Sequence, residues 1–165
     1  MATRIRAAKA EDAATIVRFI RELAVFEKAD MDEVRVTAED IVRFGFGDRR
    51  VFECLLAEVD GEPVGFIMFF SNFSTWEGRP GIYVEDLYVT PRVRGEHIGF
   101  ALAAAVAKLA VERHCPRVDF SVLDWNPARE FYHRLGARHM HDWLPYRLAG
   151  QELHALAASG PIEVG

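Results

Sequence analysis

The order of apolar and polar positions divides the N-terminal half of the chain into short strands. Arg4 to Ala7 predicts a first strand, and the runs 51–59 and 63–72 predict two more. Asp60-Gly61 lies between these two runs and is a strong hairpin signal. The stretch 65–70 is almost wholly apolar, which predicts a strand that is covered on both faces.

Helical periods of three and four lie between the first two predicted strands. One apolar stripe begins near Ala10 and continues to Leu23, which predicts a long amphipathic helix. Thr37, with Asp40 three residues on, resembles a capping box and opens a short helix that ends near Gly45.

The stretch 81–112 contains a strand, a basic turn and a long helix. Tyr83 to Val89 is rich in β-branched and aromatic residues, and from Ile98 the apolar positions follow a helical period. Another strand is expected at 117–123. A strand, a long helix and a strand in this order imply a right-handed crossover and therefore a parallel pair.

The C-terminal part predicts smaller elements. Asn126 is a good N-cap for a short helix, and Gly136 is a natural stop for it. A strand pair is expected at 138–141 and 145–148, followed by a helix at 151–157. The element order indicates a mixed α+β fold, formed by residues 1–165 as a single domain.

The turn between the central strand and the long helix reads RVRGEHIG, from Arg92 to Gly99. A turn that enters a helix directs unpaired backbone N–H groups outward at the positive end of the helix dipole. Arg92 and Arg94 add positive charge, so the turn can form a phosphate site. Two glycines near a helix start are a weak signal, and a plain connection with two arginines remains an alternative.

Composition and charge disfavour a nucleic-acid-binding, a secreted or a membrane-spanning protein. The net charge of −5 argues against a nucleic-acid partner and suits a cationic substrate. Cys54 and Cys115 are isolated and are read as reduced thiols of a cytoplasmic protein, because they form no disulfide framework and no metal cluster. The N-terminus lacks the apolar segment of a signal peptide, and no apolar run is long enough to span a membrane.

Three features together resemble the GNAT superfamily of acyl-CoA-dependent N-acetyltransferases. They are the strand YVEDLYV followed by RGEHIG, the later helix WNPAREFYHRLGA, and the element order along nearly the whole chain. IRELAVFE, GFG, VEDLYV and DWN are similar to the spermidine/spermine (diamine) and thialysine acetyltransferase branch. The resemblance implies a GNAT acyl-CoA N-acyltransferase fold, with a mixed central sheet of six to seven strands and a splayed parallel pair flanked by helices. It also implies acetyl-CoA as cosubstrate and a homodimer. No metal is expected, because the histidines of the chain form no convincing ligand pattern.

The resemblance implies cofactor contacts from the central strand, the basic turn and the later helix. The expected acetyl-CoA-binding residues are Leu87, Tyr88, Val89, Arg94, Gly95, Glu96, His97, Ile98, Gly99, Phe100 and Asn126. The N–H of Leu87 or Tyr88 would stabilise the oxyanion. His97 stands where the family turn has a glycine, and its N–H can still donate if its φ is negative.

Two side chains are expected to move protons. Tyr132 in FYHRLGA is implied to be the general acid, because a phenol carries its proton at neutral pH and can donate it to a thiolate. Glu85 is the expected proton acceptor, through water, and Asp86 is the next choice. Consecutive strand residues point to opposite faces, so at most one of the two enters the site unless a bulge rotates the strand. A surface tyrosine and a structural carboxylate pair are the alternatives.

The predicted reaction is acetyl transfer to a primary amine of a polyamine, diamine or lysine analogue in a ternary complex. The expected substrate-binding residues are Phe26, Glu27, Glu85, Asp86 and Asp142. The acidic loop after the first helix can attract a polycation, or it is only a solvated connection. The alternatives are transfer to a protein or antibiotic amine, and a regulator that binds acyl-CoA without turnover. A Rossmann-type domain is disfavoured because no G-x-G-x-x-G follows the first strand.

Overall fold

The computed structural model describes residues 2–160. The strands are β1 (Thr3–Ala7), β2 (Glu53–Val59), β3 (Glu62–Ser74), β4 (Arg79–Val89) and β5 (Val118–Phe120). The α-helices are α1 (Ala13–Phe26), α2 (Ala38–Phe46), α3 (Ile98–Glu112), α4 (Ala128–Arg134) and α5 (Gly150–Ser159). Short 3₁₀ turns occupy Ala10–Asp12, Met31–Glu33 and Pro91–Val93.

The strands form one mixed sheet in the order β1-β2-β3-β4-β5. β1 to β4 pair antiparallel, whereas β4 and β5 pair parallel and are joined by α3. The parallel pair predicted from the strand–helix–strand order is therefore confirmed. The prediction of six to seven strands is wrong for the described residues, which form a five-stranded sheet.

The two missing strands are the pair predicted at 138–141 and 145–148. Residues 138–148 are not part of any strand in the structure, and the large apolar side chains of Trp143, Leu144 and Tyr146 are exposed. An alternating pattern becomes a strand only where a neighbouring strand pairs with its N–H and C=O groups. The strand predicted at 117–123 is likewise reduced to β5, which ends at Phe120.

Two hydrophobic cores cover the two faces of the sheet. One core contains α3 residues such as Leu102 and Val106 packed on β2, β3 and β4. The other contains Phe19 of α1 and Ile41 of α2 packed on Phe66 and its neighbours. The buried run of β3 contributes residues to both cores, so the prediction that this strand is covered on both faces is confirmed.

Local signals predicted the turns and caps of this part of the chain. Thr37 and Asp40 form a capping box at the start of α2. The hairpin turn between β2 and β3 has positive φ at Asp60 (52°) and Gly61 (85°). This backbone geometry is that of a type I′ turn, which suits the twist of the flanking strands.

The chain divides into two compact units between Phe131 and Tyr132. The first unit contains the sheet and α1 to α3, and the second contains the end of α4 and all of α5. Within residues 2–160, no helix combines the length and the apolar character that a membrane span requires.

Candidate active site

The central strand β4 has two halves with different neighbours. Ile82, Tyr83 and Val84 pair with β5, and the pairing with β3 continues to Val89. Because β5 ends at Phe120, no described strand lies beside the other edge of β4 from Glu85 onward. The parallel pairing therefore ends at Val84, and this edge of β4 is open from Glu85 onward.

One hydrogen bond shows which way the main-chain N–H and C=O groups point in the open half of β4. The N–H of Thr90 donates to the carbonyl of Val64 on β3 (2.8 Å). Main-chain groups alternate in direction along a strand. The N–H and C=O of Tyr88 therefore also point to β3, whereas those of Leu87 and Val89 point to the open edge. In agreement, a side chain added at Gly65 of β3 would lie 2.6 Å from the carbonyl oxygen of Tyr88.

The basic turn connects this edge to α3. Gly95 has φ +93°, and a Cβ built there would have no described atom within 4 Å. His97, the residue before α3, has φ +59°, so the condition of a negative φ, which the sequence analysis set for donation by its N–H, is not met. Histidine is among the side chains that enter the left-handed region most often, although this region disfavours residues other than glycine.

The start of α3 leaves several amides directed outward. The first hydrogen bond of the helix joins the N–H of Ala101 to the carbonyl of His97 (3.0 Å), so the amides of Ile98, Gly99 and Phe100 precede it. Among the described residues no side chain caps this helix, and its first turn holds no acid. These features suit an anionic group at the helix start.

Arg94 of the basic turn contacts the end of the open edge of β4. Its Nε donates to the carbonyl of Val89 (3.1 Å). Its guanidinium carbon is 5.0 Å from the ring centre of Phe26 and 5.8 Å from that of Tyr88. The Tyr88 hydroxyl donates to Glu22 (2.8 Å), and burial raises its pKa to about 12, so this phenol is a structural group.

A β-bulge brings the two adjacent acids of β4 into one region. Val84 pairs with Phe69 and Asp86 with Met68, which leaves Glu85 as an extra residue on β4. The alternation that would separate Glu85 from Asp86 is therefore interrupted. Glu85 is exposed and Asp86 is half-buried.

Asp86 has the most perturbed acidity of these carboxyl groups. Burial, together with the nearby charges of Glu85 and Glu27, raises the pKa of Asp86 to about 7. Burial also raises the pKa of Glu27, which follows the last residue of α1. The three carboxyl groups are thus close enough to interact, and Asp86 can accept or release a proton near neutral pH.

The remaining predicted site residues lie on other elements of the chain. Asn126 is buried (7% exposed) and its Oδ1 accepts a hydrogen bond from the N–H of Ala128 (2.9 Å), which caps α4. Glu96 is exposed in the basic turn. In the second unit, Tyr132 is half-buried on α4, and Asp142 is exposed with His141 Nε2 3.2 Å from its Oδ1.

Two residues with no role predicted from the sequence, Trp125 and Lys28, lie beside the predicted substrate residue Phe26. Trp125 packs against Phe26 with ring centres 6.4 Å apart, and Lys28 Nζ lies 4.4 Å from the Trp125 ring centre. The DWN motif contained the tryptophan, but only the fold brings it to the end of α1. Within residues 2–160, no group of His, Cys, Asp and Glu is arranged to hold a metal ion.

Comparison with known proteins identifies the family. The model of the acetyltransferase (GNAT) family matches residues 17–137. The chain belongs to this family. GNAT proteins are acyltransferases that use acetyl-CoA as cosubstrate, and the chain is accordingly an enzyme, an N-acetyltransferase.

The GNAT relatives named for small amines match most of the chain. Thialysine N-epsilon-acetyltransferase of Sus scrofa is 40% identical, over 93% of this chain and 96% of that protein. Spermidine/spermine N(1)-acetyltransferase-like protein 1 of Homo sapiens is 35% identical, over 93% of this chain and 23% of that protein. Among solved structures, an integron cassette protein from the mobile metagenome of V. cholerae has a TM-score of 0.80 at 24% identity, covers 96% of this chain and 99% of that one, and supports the fold.

Proposed function

We propose that this GNAT enzyme transfers the acetyl group of acetyl-CoA to a primary amine of a small cation by direct attack in a ternary complex. The substrate class is a polyamine, a diamine or a lysine analogue. The observation that carries the proposal is the open edge of β4, which continues through Arg94 into the start of α3, where no described side chain forms a cap. The thialysine and spermidine/spermine relatives support the amine class.

The residues at this edge fit the shape and charge of a CoA thioester, which supplies the activated acyl group when it is bound. Leu87 and Val89 present main-chain groups to the open edge, where an extended amide-containing chain can pair. The amides of Ile98, Gly99 and Phe100 and the remaining N–H groups of Arg94 suit a diphosphate. The Tyr88 amide faces β3, so Leu87 is the better donor to an oxyanion.

The carboxyl groups of β4 take the proton that the attacking amine must lose. A general base works best when its pKa lies near the working pH, and this condition favours Asp86. Exposed Glu85 remains a second route through water. Glu27 and Phe26 would contact the amine chain, and Asp142 stays a predicted contact.

The remaining roles rest on the sequence resemblance. Tyr132 is proposed to donate a proton to the departing thiolate, and Asn126 to contact the cofactor through its amide nitrogen. We also propose that residues 1–165 act as one domain and as a cytoplasmic homodimer. Exposed apolar residues from Tyr146 to Leu148 are suited to the subunit contact.

The test is a steady-state screen of CoA release from acetyl-CoA. The acceptors are spermidine, spermine, putrescine, lysine and thialysine, with a peptide N-terminus and an aminoglycoside as alternatives. We expect the small cations to be acetylated with the highest kcat/KM. Binding of acetyl-CoA without turnover on any amine would contradict the proposal and support a regulator.

Tyr132→Phe tests the proposed acid within the same assay. The variant loses the phenolic proton but keeps the ring, so kcat should fall by about 100-fold while the KM for acetyl-CoA changes by less than about twofold. Equal losses in turnover and in acetyl-CoA affinity would reject the acid role.

A further inference from the structure

Phe26 at the end of α1 and Trp125 before α4 form an aromatic pair that is flanked by two cations. The ring centres of the pair are 6.4 Å apart at an interplanar angle of 44°. Arg94 lies 5.0 Å from the ring centre of Phe26, and Lys28 Nζ lies 4.4 Å from that of Trp125. Ammonium groups bind aromatic faces at these distances through the ring quadrupole.

The two flanking cations differ in how they are held. The Arg94 Nε is hydrogen-bonded to the Val89 carbonyl, which fixes the guanidinium beside Phe26. Lys28 is an exposed residue with φ 58°. Its ammonium group lies over the Trp125 ring. An ammonium on a flexible stem can leave the ring and return to water. Trp125 itself is 43% exposed, so solvent reaches a large part of the residue.

The aromatic pair adjoins the acidic cluster through Glu27. This residue lies between Phe26 and Lys28 in the chain, and its charge contributes to the raised pKa of Asp86. The segment 26–28 therefore contacts the Trp125 ring through Phe26 and Lys28, and it raises the pKa of Asp86 through Glu27. This arrangement suits a molecule with an amine at one end and a second positive charge further along.

We propose that the face of Trp125 binds the second ammonium group of the amine substrate, and that this group displaces Lys28 from the ring. The inference rests on the proposed function and adds a selectivity rule to it. The reacting amine enters near the carboxyl groups of β4, and the distal ammonium replaces the protein's own ammonium at the aromatic pair. Lys28 is then a competitor that makes a substrate with only one charge a poorer match for this region.

The experiment compares 1,5-diaminopentane with 1-aminopentane, which differ by one ammonium group. The measured quantity is the ratio of their kcat/KM values with saturating acetyl-CoA. Trp125→Leu should lower this ratio by about five- to tenfold, and Lys28→Met should raise it by about threefold. Trp125→Phe, which keeps an aromatic face, should retain most of the preference.

A double variant separates the ring contact from general charge effects. In the Trp125→Leu background, Lys28→Met should change the ratio by less than about 1.5-fold, because the shared ring is absent. Lys108→Met removes an equal charge from α3, where Lys108 lies 3.8 Å from Glu112, and should leave the ratio unchanged. Thermal melts of each variant report whether it is folded.

Two outcomes would overturn the inference alone. In the first, the enzyme acetylates the diamine normally, but Trp125→Leu does not change the ratio of kcat/KM values. In the second, Lys28→Met changes this ratio equally in the presence and in the absence of Trp125. Failure of the wild-type enzyme to acetylate any amine would instead contradict the proposed function itself, so the two failures are distinguishable.

Discussion

The starts of α2 and α3 both have backbone amides without a partner in the helix, and they differ in whether a side chain caps these amides. At α2, the Thr37 hydroxyl accepts from the Asp40 N–H (3.2 Å), and the Asp40 carboxylate accepts from the Thr37 N–H (2.9 Å). At α3, no described side chain does this, and the preceding residue is the left-handed His97. The first start is capped by the chain itself, whereas the second has no described side-chain cap and is the start that we propose to bind an anionic ligand.

Asp40 at the α2 start and Asp86 on β4 show a similar contrast in acidity. Hydrogen bonds from the Thr37 N–H and hydroxyl lower the pKa of Asp40 below its ordinary value. Burial, with the charges of Glu85 and Glu27, raises the pKa of Asp86 to about 7. The first carboxylate is held ionised for the fold, and the second is poised to exchange a proton. A perturbed acid of the second kind indicates chemistry more than stability.

The largest effect is expected from Asp86→Asn. Loss of the base should lower kcat by about 100-fold or more, with little change in the KM for acetyl-CoA. In the wild type, kcat/KM should fall below pH 7 as Asp86 becomes protonated, because only its ionised form accepts a proton. Steady-state kinetics from pH 5.5 to 9 in buffers of constant ionic strength check both points. Asp40→Asn is the control and should keep kcat within about twofold; a similar loss in both variants would contradict the assignment.

Arg94→Ala should have the next largest effect, on the cofactor rather than on turnover. Loss of charge-assisted hydrogen bonds to the diphosphate should raise the KM for acetyl-CoA by about 10- to 30-fold. Arg43, whose guanidinium carbon lies 5.1 Å from the Phe44 ring centre on α2, provides a matched arginine on an aromatic ring. Arg43→Ala should leave this KM unchanged. An unaltered KM in Arg94→Ala would remove that residue from the phosphate site.

Thr37→Ala tests the opposite side of the comparison. Removal of the cap should lower the free energy of unfolding by about 1 kcal/mol, which lowers the Tm by about 2–4 °C. The KM for acetyl-CoA should remain the same. Thermal melts followed by circular dichroism, together with kinetics on the same samples, would detect a change in either quantity. A shift in KM would mean that the α2 start also takes part in binding.

The smallest effect is expected at His97. Glycine adopts φ +59° without the Cβ clash, so His97→Gly should raise the Tm by about 1–2 °C, whereas His97→Ala should lower it slightly. Both variants keep the helix-start amides, so the KM for acetyl-CoA should change by less than about threefold. Equal melting temperatures for the two variants would show that the left-handed backbone costs little.

Features set by neighbouring residues could be predicted from the sequence. The Thr37 and Asp40 capping box and the Asp60-Gly61 hairpin depend on a few consecutive residues, and both were predicted correctly. The apolar face of α3 was also predicted, because Ile98, Leu102 and Val106 all lie in the core. The parallel pairing of β4 and β5 followed from the crossover rule.

Features set by distant residues could not be predicted in the same way. The bulge at Glu85 depends on the register between β3 and β4, and the length of β5 depends on where β4 stops pairing. The segment 138–148 alternates like a strand, but the structure contains no strand in it. The contact of Trp125 with Phe26 joins residues nearly 100 positions apart in the chain, so no local pattern encodes it.

Hydrogen–deuterium exchange with and without CoA tests the central claim most directly. We expect CoA to slow exchange at Leu87, Val89, Ile98, Gly99 and Phe100, because these amides would donate to the ligand. The capped start of α2, residues 38–41, should exchange at the same rate in both samples. Unchanged exchange at the start of α3, or protection at the start of α2 instead, would contradict the claim that the uncapped helix start is the cofactor site.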